Sequence, residues 1–115
     1  MDKSVKRLMA YYIRMLRTMR GFTQQDVASK IGKTTNAISN WELGNTSPPV
    51  DDMVEMCKLF KVTPNQIMGW DECPELMDYI AQTEDAAQKV EELKKQKEEI
   101  EKQIKSYTEL MNRKN

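Results

Sequence analysis

Apolar residues recur at helical spacing along the first 70 positions and never alternate for long. Val5, Leu8, Tyr12, Leu16 and Met19 predict a helix over 5–20, which Gly21 is placed to stop. Thr23 can cap a second helix over 24–31, with Val27, Ala28 and Ile31 on its apolar face and Gly32 at its end. Thr34 can cap a third over 35–43, with Ile38 and Trp41 inward and Gly44 closing it. Residues 45–49, Asn-Thr-Ser-Pro-Pro, read as a loop. Val50, Met53, Val54, Cys57 and Phe60 mark a fourth helix. Thr63-Pro64-Asn65-Gln66 opens a fifth, with a threonine N-cap, a first-turn proline and a capping-box glutamine, ending near Gly69. Strand signals are lacking, so the expected class is all-α, with five short helices around one core in residues 1–70.

The pattern changes after Trp70. Residues 84–115 contain no Gly, Pro, Phe or Trp. Ala86, Val90, Leu93, Lys97, Ile100, Ile104, Tyr107 and Met111 recur alternately four and three apart. This is a heptad seam with Val90, Lys97, Ile104 and Met111 at a, and Leu93, Ile100 and Tyr107 at d. Leu76, Tyr79 and Thr83 continue its phase backward. A narrow seam with charge on every other side predicts a coiled coil rather than a globular helix. A single chain offers no second helix of matching length, so the seam is expected to join two copies in a homodimer. Residues 1–70 are then a head whose core is complete by itself, and 71–115 a dimerisation tail.

Charge supports this division. Lys+Arg and Asp+Glu stand at 18 each in 115 residues, but residues 1–70 hold ten basic and six acidic side chains and residues 71–115 hold eight and twelve. A basic head on an acidic tail suits a head that meets a polyanion. Histidine is absent, which removes His-based acid–base chemistry, nucleophile activation and histidine metal sites. Cys57 and Cys73 form no CxxC pair, so no zinc knuckle or disulfide framework is expected. Cys57 lies on the apolar stripe of the fourth helix and reads as a buried small hydrophobe. The glycines are isolated and build no phosphate loop. An enzyme is therefore not expected, nor a cofactor. Six basic residues interrupt the first 20 positions, leaving neither a signal peptide nor a membrane span. The expected location is cytoplasmic, with both thiols reduced.

The segment Thr23–Gly44 is the most specific. Ala28 lets two helices cross closely, Gly32 permits a tight turn, and Val27, Ile31, Ile38 and Trp41 pin the pair to the core. The outward residues of the second helix are Thr35, Asn36, Ser39 and Asn40, all short and polar. TQQDVASKIGKTTNAISNWELG, preceded by IRMLR and followed by PPVDDMVEMCKLFKVTPNQIMG, resembles the phage-repressor/Cro-like helix-turn-helix family over roughly residues 10–69. The resemblance implies that the second helix of the pair enters the major groove of double-stranded DNA, with Thr35, Asn36, Ser39 and Asn40 facing base edges. It implies phosphate contacts from Gln24, Lys33, Thr34, Asn45 and Thr46. It also implies a partly buried structural ion pair between Arg17 and Glu42. Lys33 departs from the family, which usually has an apolar residue there; its stem is expected along the core with the ammonium reaching a phosphate. Leu43 and Pro49 also depart from it.

Two functions follow. One is a sequence-specific, DNA-binding transcriptional regulator, a repressor acting as a dimer through the tail. The other is a protein-interaction module, an antitoxin or phage factor, whose coiled coil recruits a different protein. Exposed apolar residues on the third helix would favour the module; its polar ones favour DNA. No ligand-sensing domain is apparent, so any inducer would act through a partner.

Overall fold

The computed structural model describes the backbone of residues 3–83 and 86–113, and the side chains of 5–83 and 91–112. The described chain is all-α: α1 Lys3–Met19, α2 Gln24–Ile31, α3 Thr35–Leu43, α4 Val50–Phe60, α5 Pro64–Ile67, α6 Pro74–Ala81 and α7 Ala86–Arg113. None of these helices is long and apolar enough to cross a membrane.

The expected punctuation operates. Thr23, Thr34 and Thr63 each accept a hydrogen bond at the side-chain oxygen from the backbone N–H three residues on, and the Asp26 and Gln66 side chains accept one in turn from the backbone N–H of Thr23 and Thr63. Gly32 adopts φ 71° after α2, and the N–H groups of Gly32 and Lys33 both bond the Ala28 carbonyl. Ala28 itself is buried, and α2 packs on α3. α5 is only four residues long, because a turn through Met68 and Gly69 takes the chain back toward α1. A β-carbon at Gly69 would lie 2.6 Å from Leu8 Cδ2, and φ there is 83°, so only glycine lets the turn sit on α1.

α1 is the hub. It packs against α3, α5, α6 and α7, while α2 packs on α3 and α4, and α4 on α5. Seven of its residues are buried: Leu8, Met9, Ala10, Tyr12, Ile13, Met15 and Leu16. A helix covered on one stripe only would not bury so many. The additional cover comes from beyond Trp70, past the expected end of the core. Leu76 and Ile80 of α6 are fully buried, Cys73 nearly so, and Leu93 and Ile100 of α7 join the same cluster. Arg20 fastens α6 to the head, donating from Nε to the Phe60 carbonyl at 2.8 Å and from both terminal nitrogens to the Glu75 carboxylate at 2.6 and 3.0 Å.

The heptad reading therefore needs correcting in two places. Leu76 and Tyr79 do not continue one long helix: α6 is a separate helix that ends before Gln82, and Leu76 faces the head's own core. Leu93 and Ile100, expected to meet a second copy, are buried on the chain's own α1 and α6. The physical reason is proximity: α1 has apolar surface left over, and the connection after α6 is short enough for α7 to cover it first. Past Ile100 the seam is exposed, with Ile104 at 48%, Tyr107 at 69% and Met111 at 70%. The side chains of Ala86 and Val90 lie outside the described residues. The radius of gyration, 15.2 Å, exceeds the roughly 13 Å of a compact chain of this length. The excess reflects the distal part of α7 extending past the head.

Candidate nucleic-acid interface

α3 is held rigidly from beneath. Ile38 is fully buried and Trp41 is 5% exposed, so the tryptophan is core, as its inward position predicts, and offers no stacking surface. The opposite side carries the candidate readers. Thr35 and Asn36 are exposed, and Ser39 and Asn40 are half-buried. Thr34 spends its hydroxyl oxygen on the N-cap, accepting from Ala37 N–H at 3.1 Å. Asn40 Oδ1 accepts from Asn45 Nδ2 at 3.2 Å, and the Asn40 carbonyl accepts from the backbone N–H of Asn45 at 3.0 Å. Lys6 Nζ donates to the Asn45 carbonyl at 3.0 Å. The loop with the exposed Asn45 and Thr46 is thus tied at once to α3 and to α1.

A second network organises the start of α2. Arg17 donates to both Glu42 oxygens, from Nε at 2.6 Å and Nη2 at 3.0 Å, and from Nη1 to the Phe22 carbonyl at 2.8 Å. The Glu42 side chain is 4% exposed and that of Arg17 13%, so this is the partly buried pair the motif implies. Glu42 Oε1 also accepts from Gln24 Nε2 at 3.3 Å. One carboxylate therefore orients the arginine and the candidate phosphate-binding amide together. An amide nitrogen has two hydrogens, so Gln24 keeps one for a further acceptor.

Lys33 is placed differently from expectation. Its ammonium lies 3.2 Å from Asp52 Oδ2, and Asp52 is buried. A carboxylate taken from water at the start of α4 requires a cation, and Lys33 supplies it. The residue is better described as a clamp between the turn and α4 than as a side chain reaching for phosphate. Sequence reasoning also missed Lys6 and Arg20, whose partners lie 39 and 55 residues away in the chain. Leu43 is 70% exposed at the end of α3, and Val50 is 72% exposed at the start of α4.

α7 reaches this region. A cavity of about 290 Å3 lies between Arg7 and Arg14 of α1, Glu42 and Leu43 of α3, and Gln96 of α7. Among the described residues no cluster of acidic or cysteine side chains could hold a metal ion.

Residues 13–67 match the family model described as helix-turn-helix. No curated protein and no solved structure matches the chain.

Proposed function

Given that residues 13–67 form a helix-turn-helix domain of the phage-repressor/Cro-like kind, the fold of DNA-binding transcriptional regulators, we propose that the chain is a sequence-specific repressor. It acts as a homodimer in the cytoplasm, with α3 in the major groove of double-stranded DNA. The observation that carries this reading is the polar, outward side of α3, Thr35 to Asn40, with Gln24 bonded to Glu42 of α3 and Asn45 to Asn40. Phosphate contacts from Gln24, Asn45, Thr46 and the start of α3 set the register. The amides of Asn36 and Asn40 can each pair with adenine N6 and N7, and Thr35 can meet a thymine methyl. Asn40 Oδ1 has a second lone pair beyond the one that accepts from Asn45, so one amide oxygen can serve a base and the phosphate-binding loop together.

Selection of bound sites from random duplex DNA, followed by a salt titration on the best site, tests the proposal. The expected result is a defined half-site whose affinity falls steeply with salt as counterions are released. Failure to bind any duplex at low salt would reject it. The exposed Leu43 and Val50 favour a second reading, a protein-binding module, and that negative result is the one it requires.

A further inference from the structure

The cation in the heptad seam, Lys97, has no role in the reading above. A residue between the buried Leu93 and Ile100 would serve the packing of α7 best if it were apolar. Instead Lys97 is half-buried and lines a cavity of about 370 Å3 where α1, α6 and α7 meet. Among the described residues its ammonium and that of Lys94 make no salt bridge. The cavity is within the size range of small-molecule sites. Its body is apolar, built from the Tyr12 ring, Met77, Leu93 and Pro74. Its charged groups divide by element: both lysines come from α7, and Asp71, Glu72 and Asp78 come from α6 and the segment before it.

An organic anion would meet the lysines but also three carboxylates, and an organic cation would meet the reverse. We propose that this cavity binds a small zwitterion with an apolar side chain, of the α-amino acid class, and that Lys97 takes its carboxylate. The ammonium group meets the carboxylates, and the side chain fills the space against Tyr12 and Met77. Each polar group then has a partner of opposite charge, and the seam lysine has a reason to be where it is. Because the walls belong to α1 and α7, occupancy braces the long helix against the head.

The test uses the full-length chain, titrated by calorimetry with L-leucine, L-methionine and L-phenylalanine, and by amide chemical shifts to locate binding. Two analogues of phenylalanine, 2-phenylethylamine and 3-phenylpropionate, each carry one of its charges. The expected result is millimolar or tighter binding of at least one amino acid, with shifts centred on Met77 and Leu93. The single-charge analogues bind at least about tenfold more weakly, and Lys97→Met lowers amino-acid affinity about tenfold with unchanged circular dichroism. Asp78→Asn, at an exposed position, gives a second variant that does not threaten the core. The proposal is overturned if none of the amino acids binds, if one-charge analogues bind equally well, or if both variants bind like the parent. DNA binding plays no part in these measurements, so failure here leaves the repressor reading standing.

Discussion

At the scale of single residues, Glu42 holds the most in place. Its carboxylate is nearly buried, takes two bonds from Arg17 and one from Gln24, and sits next to the exposed end of α3. Replacing it with alanine leaves the Arg17 guanidinium partly buried without its carboxylate. Glu42→Ala should cost about 3–5 kcal/mol of stability, and adding Arg17→Met should recover part of that loss. Urea denaturation of the two variants checks this, and no change in midpoint for Glu42→Ala would mean the pair contributes nothing. Asn36→Ala should leave stability alone and cost about 1–3 kcal/mol on the best DNA site, relaxing preference at one base pair. Competition binding against single-base variants of that site reads it directly. The Arg17–Glu42 pair and the inward Trp41 were legible in the sequence because the motif fixes both positions relative to the helix turn. Lys33–Asp52 was not legible. A flexible four-carbon side chain goes to whichever buried carboxylate needs it, and the burial of Asp52 is decided by packing elsewhere.

At the scale of elements, caps and glycines were readable and α6 was not. Thr23, Thr34 and Thr63 act through bonds spanning three residues, so their signal is local. Leu76 and Tyr79 stand three apart, which suits both a short globular helix and a heptad, and periodicity alone could not separate the two. Two other signals pointed to a new helix. Pro74 stands where a first-turn proline starts one, and α1 carries more apolar residues than one stripe needs. Leu76→Ala should cost about 2–5 kcal/mol, as for other fully buried leucines, whereas Lys105→Ala, exposed and off the seam on distal α7, should stay within about 0.5 kcal/mol. Equal effects would mean α6 is no part of the head. Acid should loosen α2 and α6. Backbone and side-chain bonds from Thr23 hold the Asp26 carboxyl below its usual range, and the Arg20 guanidinium does the same for Glu75. A carboxylate with a lowered folded pKa stabilises above its unfolded value, and that contribution is lost as pH falls through the lowered one. Urea midpoints should therefore be flat near neutrality and drop below the ordinary carboxylate range, with a shallower drop in Glu75→Gln.

At the scale of the whole molecule, the division of α7 decides how two heads could be joined. Its proximal half is committed to the chain's own head through Leu93 and Ile100. Its distal half presents Ile104, Tyr107 and Met111 along one side, with Leu110 beside them at 53% exposure. Two copies pairing through the distal halves would bury these residues without disturbing either head, and the clamped proximal halves would hold each head at a set angle to the pair. A coiled coil along the entire seam would instead have to strip Leu93 and Ile100 from α1 and α6, returning to water the apolar surface of the head that they cover. The distal arrangement is the one we expect. Ile104→Asp with Met111→Asp should then give a monomer whose urea midpoint matches that of the parent diluted until it is monomeric, because both positions face water in the single chain. Leu93→Asp should lower the midpoint sharply, because it strikes the head. If two linked half-sites are bound at once, the monomeric variant should lose about 10²–10⁴ in affinity for a full operator and little for one half-site. Sedimentation of the parent at micromolar concentration comes first. A chain that remains monomeric there removes the dimer, and a dimer that survives both distal charges moves the joint to another surface.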